Sequence, residues 1–524
     1  MPKCTINGKA IEVAPGTTII QAFKQMDQEI AHYCWHPGLS IAGVCRLCMV
    51  EIEGQPKLQI ACNTMVAEGM VINNRSDKVK DTVRWGLDFH LINHPLDCPI
   101  CDQAGECELQ IQYMKFGQYD PEMAEKKTKK NKVIDLGPTV VLDSERCILC
   151  SRCVRFTTEV SKTNELGIFH RGDHAEIGTF ENKPLNNNYS ANTIDICPVG
   201  ALTSKDFRFR QRVWYLKNRP SVCNGCATGC NITVYYNEEG LWRVKPIYNK
   251  DVNGHWMCDK GRDLYKFVNR DHRQLRATFS DGRQTQDFEA GAAAMQAGNS
   301  LREVAKTKNT VAVVLTGQNT LEEYKDIIKT TKEKLNSNLV YHYINNAESF
   351  DEFDGLLYRG DKNPNTKGLL DVLHENKISA TWSDFESKIK SGAIKAVLFV
   401  APENQSVFPD LAARLASLKT CPLLVAMTTS PLPSLEDRSG LTYVIPMKSF
   451  IEKNGTFVNY TGKQQKISRV TTIVKGALSL SEAATLLAGT ILTLGDEVET
   501  AKVRKTNYFT SQREKANEFS QKTE

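Results

Sequence analysis

Four groups of cysteine, all before residue 259, constrain this chain more tightly than any other feature. Cys34, Cys45, Cys48 and Cys62 form the first group and Cys98, Cys101 and Cys107 the second. Cys147, Cys150, Cys153 and Cys197 form the third, and Cys223, Cys226, Cys230 and Cys258 the fourth. Of the 17 cysteines only Cys4 and Cys421 stand apart. Disulfide scaffolds are short and secreted. At 524 residues this chain is long enough for several domains with cores of their own. The opening MPKCTINGKAIEV reads as strand rather than as a signal peptide. There is no twin-arginine signal, and no apolar run approaches the roughly 18 residues of a membrane span. The expectation is a reducing, cytosolic compartment in which the thiolates bind metal. The net charge of +5 is mild. Its densest basic run, Lys126 to Lys130, reads as a solvated loop rather than a nucleic-acid stripe. Neither GxGxxG nor GxxxxGK[ST] occurs, so no nucleotide-phosphate loop is visible.

Residues 3–6 and 9–13, joined by Asn7-Gly8, predict a hairpin. Pro15-Gly16 turns the chain, and Thr17 or Thr18 caps a helix carrying Ile20 and Phe23. The segment reads as a small β-grasp unit. Ser76 caps a second helix with Val79, Val83 and Leu87 on its core face, stopping at His94-Pro95. Residues 120–135 are polar and lysine-rich, a candidate linker. After about residue 275, apolar runs at 311–317, 395–401 and 422–427 alternate with helix-like segments. That alternation predicts an α/β layer around a largely parallel sheet. The tail from Ala501 is polar and charged.

Four thiolates in a β-grasp unit suit a [2Fe–2S] cluster, with two ligands on each iron. The amides of GVCRLCMVEI are available to the sulfurs. Zinc is the rival, but tetrahedral four-cysteine zinc sites favour paired CxxC knuckles, and Cys34 and Cys62 are single. The third group opens CILCSRC and closes with Cys197-Pro198. A two-cluster ferredoxin repeats C-x2-C-x2-C-x3-C, the last cysteine of each run serving the other cluster. Here Thr157, Asn187, Ser190 and Thr193 occupy the positions that would hold one cube, and the four retained cysteines would hold the other. The fourth group, CNGCATGC with Cys258, suits a further [4Fe–4S] cluster, with zinc again the rival. The second group lacks one ligand. Cys4 and Cys421 both read as core residues, so His94 is the favoured fourth ligand and His90, one helical turn earlier, the competitor. A neutral imidazole in place of a thiolate makes the cluster less negative and raises its potential.

The order of these groups, and above all one histidine with three cysteines, resembles the large iron–sulfur subunits of bacterial respiratory NADH–quinone oxidoreductase, complex I. The resemblance is dense over residues 1–270 and thin beyond. The first three groups also resemble the N-terminal parts of iron hydrogenases and NAD-linked formate dehydrogenases, which usually keep the second ferredoxin cluster. The fourth group is similar to the cluster domain that opens molybdopterin oxidoreductases, and YVIPMKSFIEKNGTFVNYTGKQQKI (443–467) is similar to a motif of their pterin-binding core.

The resemblance implies a multi-domain α+β and α/β chain. Its expected parts are a [2Fe–2S] ferredoxin-like domain at 1–76, a histidine-plus-three-cysteine [4Fe–4S] domain at 77–118 and a ferredoxin-like [4Fe–4S] domain at 119–217. A molybdopterin-oxidoreductase-type [4Fe–4S] domain at 218–274, a shortened molybdopterin-oxidoreductase-like α/β domain at 275–500 and a tail at 501–524 follow. It implies one [2Fe–2S] and three [4Fe–4S] clusters, no molybdopterin, and no acid, base or nucleophile in this chain alone. The implied role is electron relay from a flavin-bearing, NADH-oxidising partner toward quinone-side iron–sulfur subunits, in a peripheral arm at the cytoplasmic face of a bacterial inner membrane. The fourth cluster is expected to lie off that route. The rivals are a catalytic formate dehydrogenase or hydrogenase subunit, and a diaphorase subunit of an NAD-linked hydrogenase.

Overall fold

The computed structural model describes residues 1–491, apart from 121, 181–182, 345–348, 434 and 436–437. The tail read from Ala501 lies outside the described residues. In the first hairpin, β1 (Lys3–Ile6) and β2 (Lys9–Glu12) turn on Asn7 and Gly8, at φ 51° and 81°. Both values are the left-handed ones that a two-residue primed turn requires. Thr18 caps α1 (Ile19–Gln25), and its backbone N–H donates to Gln21 Oε1 at 2.9 Å. β3 (Met49–Ile52), β4 (Gln59–Ile60) and β5 (Val71–Asn73) complete a sheet in the order β2-β1-β5-β3-β4. α1 packs Ile19, Ile20 and Phe23 into the core that this sheet shares with Cys4.

α2 (Asp77–Leu91) starts at Ser76 and buries Val79, Val83 and Leu87, as its periodicity predicts. It ends three residues before His94. α3 (Glu108–Phe116) follows, with Cys107 as its N-cap residue. The lysine-rich stretch has no regular structure and is mostly exposed, as a solvated loop should be, and it also straps the end of α2. Lys127 Nζ donates to Leu91 O at 2.7 Å and Ile92 O at 3.0 Å, and Thr128 N to Asn93 Oδ1 at 2.9 Å. Helix C-termini leave carbonyls without partners, and this strap supplies donors to those of α2.

β6 (Ile134–Asp135), β7 (Val140–Leu142), α4 (Arg152–Glu159), the hairpin β8 (Leu166–Phe169) and β9 (Glu176–Thr179), α5 (Asn192–Asp195) and β10 (Leu202–Ser204) build the third module. Its small sheet runs β10-β7-β6. The fourth module is the antiparallel sheet β11 (Lys217–Val222), β12 (Asn231–Asn237) and β13 (Gly240–Pro246), with α6 (Asp259–Arg262) and α7 (Leu264–Val268). Arg243 and Lys245 of β13 both bond Glu106, at 2.7 Å and 3.2 Å, which ties this module to the second.

The C-terminal half begins with the hairpin β14 (Ala277–Ser280) and β15 (Thr285–Phe288), then α8 (Ala290–Val304). β16 (Val311–Leu315), α9 (Leu321–Glu333), β17 (Val340–His342), α10 (Thr366–Glu375), α11 (Trp382–Lys390), β18 (Ala396–Val400), α12 (Leu411–Ala416), β19 (Leu423–Thr428) and β20 (Leu441–Pro446) follow. Among the described residues these strands form one sheet in the order β15-β14-β20-β19-β18-β16-β17, parallel from β17 to β20. The three apolar runs are β16, β18 and β19, buried along their whole length. Val313, Leu398 and Val425 face α8, α9 and α10, while Val314, Phe399 and Ala426 face α11 and α12. Burial on both faces is why these strands read as continuous apolar runs. The antiparallel edge pair was not expected; β15 is the polar run TQDF. Segment 443–467 divides between β20 and the hairpin β21 (Gly455–Val458) and β22 (Gln464–Ile467). α13 (Leu480–Leu487) closes the layer over α8 and α9.

Candidate metal centres

In the first group all four sulfurs are buried. They lie as two pairs. Cys34 Sγ is 3.4 Å from Cys45 Sγ, and Cys48 is hydrogen-bonded to Cys62. The hydrogen bond within each pair lowers Cys34 and Cys62 while raising Cys45 and Cys48. Two close pairs match two ligands on each of two irons. Arg46, at φ 56°, bends the loop between Cys45 and Cys48. Tyr33 N–H points at Cys45 Sγ across 3.5 Å.

In the second group Cys98 is exposed on a short helical turn, and Cys101 and Cys107 are buried. Burial raises Cys107 to about 11, and the nearby Cys101 and Cys98 add to it. The two histidines differ in a decisive way. His90 Nδ1 lies 2.6 Å from Gly86 O, one turn back along α2, and its ring stands edge-on to Tyr33 beside the first group. His94 Nδ1 is buried and has no hydrogen-bond partner among the described residues. Burial, helped by the charges of Arg146 and Lys127 and opposed by Asp97 and a hydrogen bond with the Arg146 backbone, pushes His94 down to about 4. The ring is therefore neutral at pH 7, the form that binds metal.

In the third group the four cysteines line one small cavity, closed by Leu142, Ile148, Ile177, Val199, Ala201 and Leu202. Burial raises Cys147 to about 12 and Cys150 to about 11. Leu149 and Ser151, at φ 53° and 60°, fold the loop so that Leu149 N–H donates to Cys147 Sγ at 3.4 Å. At the positions of the missing ferredoxin ligands every side chain has a partner. Thr157 Oγ1 donates to Val154 O, Ser190 Oγ to Asp259 Oδ2 at 2.6 Å and Thr193 Oγ1 to Ser190 O at 2.6 Å. Asn187 Nδ2 donates to Glu165.

In the fourth group Cys223 and Cys230 flank the turn between β11 and β12, and Cys258 caps α6. All four sulfurs line a cavity of about 670 Å³ that reaches Tyr358, Glu403 and Gln405 of the C-terminal half. Gly225 N–H donates to Cys223 Sγ at 3.4 Å and Gly261 N–H to Cys258 Sγ at 3.3 Å. A Cβ at Gly261 would crowd Cys223 Sγ at 3.2 Å, so the position favours glycine. The C-terminal half clamps the loop: Ala227 N–H donates to Asp361 O at 2.9 Å, and Gln465 Nε2 to Gly229 O at 2.8 Å.

Cys4 and Cys421 are buried in apolar cores, as their sequence surroundings suggest. Among the described residues no three His, Cys, Asp or Glu side chains converge as one metal ion would require. A cluster sets irons and sulfides between its protein ligands and so holds them farther apart. The buried sulfurs, inward N–H groups and the partnerless His94 Nδ1 fit iron–sulfur clusters. Several residues around these sites had no sequence signal beyond their position: Arg152 and Arg155 between the cysteine loops, and Tyr358 and Lys362 beside Cys226 and Cys258.

This architecture defines an iron–sulfur protein of several modules. Family models match each in turn: "2Fe-2S iron-sulfur cluster binding domain" at 3–77, "NADH-ubiquinone oxidoreductase-G iron-sulfur binding region" at 86–121, "NADH-quinone oxidoreductase subunit 3, ferredoxin-like domain" at 137–203 and "Molybdopterin oxidoreductase Fe4S4 domain" at 216–270. The chain is similar to the G subunits of bacterial NADH-quinone oxidoreductases. It is 42% identical to that of Rickettsia bellii over 266 residues, 51% of this chain and 39% of the relative. Against Rickettsia conorii the identity is 36% over 349 residues, 64% of this chain and 50% of the relative. Against Streptomyces coelicolor it is 41% over 266 residues, 50% of this chain and 32% of the relative. The chain thus spans half or less of the length of these curated relatives. A solved NAD+-reducing [NiFe]-hydrogenase chain matches with a TM-score of 0.37 at 28% identity, covering 40% of this chain and 91% of that one.

Proposed function

We propose that this chain is an electron-relay subunit of an NADH–quinone oxidoreductase. It carries a [2Fe–2S] cluster on Cys34, Cys45, Cys48 and Cys62. Three [4Fe–4S] clusters sit on His94, Cys98, Cys101 and Cys107, on Cys147, Cys150, Cys153 and Cys197, and on Cys223, Cys226, Cys230 and Cys258. Bound clusters supply one-electron chemistry. On this reading the domains keep the boundaries given above, and the C-terminal half works as a scaffold without a pterin cofactor. The observation that carries the reading is direct contact between cysteine loops of different modules. Cys107 Sγ lies 3.8 Å from Pro198 O, next to Cys197, and Glu108 N–H donates to the same carbonyl at 2.8 Å. A Cβ at Gly200 would collide with Cys101 Sγ.

The protein's own residues exclude water from the sulfurs, aim N–H groups at them and hold the modules in register. Hydride removal from NADH belongs to a flavin-bearing partner, and quinone reduction to further iron–sulfur partners. The place of action is a peripheral arm on the cytoplasmic face of a bacterial inner membrane. Among the described residues no helix is long and apolar enough to cross a membrane. The test is freeze-quenched EPR of the assembled enzyme after mixing with NADH. The clusters of the first three groups should be reduced within one turnover and that of the fourth should lag. If NADH reduces none of the first three, the relay reading fails.

A further inference from the structure

Arg152 stands between Cys150 and Cys153 and is 3% exposed. Its guanidinium reaches three modules at once. Nη2 donates to Trp35 O at 3.0 Å, and Trp35 follows Cys34. Nη1 donates to Ile196 O at 3.1 Å, and Ile196 precedes Cys197. Both Nη atoms bond the Glu108 carboxylate, at 3.3 Å and 3.1 Å, and Glu108 follows Cys107. Every partner is therefore the immediate neighbour of a cysteine in a different group, and Arg152 itself adjoins Cys153.

We infer that Arg152 is the shared positioning residue of the relay, fixing the spacing of the clusters of the first, second and third groups and raising their potentials through its charge. This rests on the relay reading above. Only a planar fork with several N–H donors can satisfy two carbonyls and a carboxylate on three backbone segments; a lysine ammonium is a single point charge on a flexible stem. A buried cation stabilises the extra electron of a reduced cluster. Removing it also leaves Glu108 without its partner, so neighbouring potentials should fall.

The experiment compares Arg152→Lys and Arg152→Met in the assembled enzyme. Potentials and magnetic interactions between reduced clusters are read by EPR after poising with chemical mediators, without NADH. Arg152→Lys should keep the potentials near wild type but broaden the interaction between first-group and third-group clusters. Passage of electrons between them should slow about 10- to 100-fold, the range that supporting groups around metal sites command. Arg152→Met should in addition lower the potentials. Wild-type potentials, interactions and rates in both variants would overturn the inference. If a variant comes out short of iron, the pattern decides. Loss across the first three groups with the fourth intact supports a shared anchor, and loss confined to the third group overturns it. A wild-type enzyme that NADH fails to reduce sinks the relay reading alone, because the mediator-poised measurements stand without it.

Discussion

His90 lies in the last turn of α2 and His94 three residues beyond its end, and their Nδ1 atoms differ in their partners. Gly86 O lies against His90 Nδ1; His94 Nδ1 has no such partner among the described residues. If His94 ligates the second-group cluster, His94→Cys should still hold a cube, gain one negative charge and show a lower potential. His94→Ala should leave an iron open and the cluster labile, while His90→Ala should leave that cluster's potential and spectrum as they are. Redox-titrated EPR of the three variants decides. Unchanged signals in both His94 variants would remove it from the ligand set. The sequence points to His94 because three cysteines need a fourth partner and the remaining cysteines both read as core. Arg152 was not legible, since its partners Trp35, Glu108 and Ile196 are brought to it only by the folded modules.

At the scale of elements, the loop that carries Cys226 is held by the C-terminal half rather than by its own sheet alone. Cys226→Ser should therefore disturb assembly or stability more than electron transfer. Quinone reduction per assembled complex measures it, and near-total loss in fully assembled enzyme would put that cluster on the route. The end of β18 makes a second prediction. Glu403 Oε1 accepts from Phe450 N–H at 2.6 Å, and Oε2 is buried without a partner among the described residues. Burial raises this carboxyl from 4.5 to about 7, against the pull of Lys453 and Arg273. A raised folded value means that its stabilising contribution is whole below about 4.5 and is lost as pH rises through about 7. Glu403→Gln should flatten that loss and be more stable than wild type near pH 8, by about 3 kcal/mol at most. Calorimetric melting of the full chain on both sides of this window checks it. An undiminished pH dependence in the variant would mean that other groups cause it. The strands β16, β18 and β19 were legible as buried apolar runs. The edge strand β15 was not, because a solvent-facing TQDF carries no alternation to read.

For the molecule as a whole, the four proposed ligand sets predict about 14 irons per chain, and the scaffold reading predicts no molybdenum. Elemental analysis of anaerobically prepared protein tests this. Stoichiometric molybdenum would contradict the pterin-free scaffold, and stoichiometric zinc with about four fewer irons would turn one cube into a zinc site. The order of modules was legible from cysteine spacing, which is local. How they join was not, since Arg243–Glu106 and Ser190–Asp259 pair residues far apart in the chain. One of these joints bears on how such chains can be recombined. Gly200 belongs to the loop after Cys197, but its missing side chain is what makes room for Cys101 Sγ, and Pro198 O receives Glu108 N–H. The second and third modules are thus moulded to each other at the sulfurs themselves. A crossover between residues 121 and 137 that joined halves from two lineages would mismatch this fit, unless the incoming loop also kept glycine at that place. Exchange of modules therefore has to carry the loops of Cys101, Cys107 and Cys197 together, and to match the Arg152–Trp35 and Arg243–Glu106 contacts that reach the first and fourth modules.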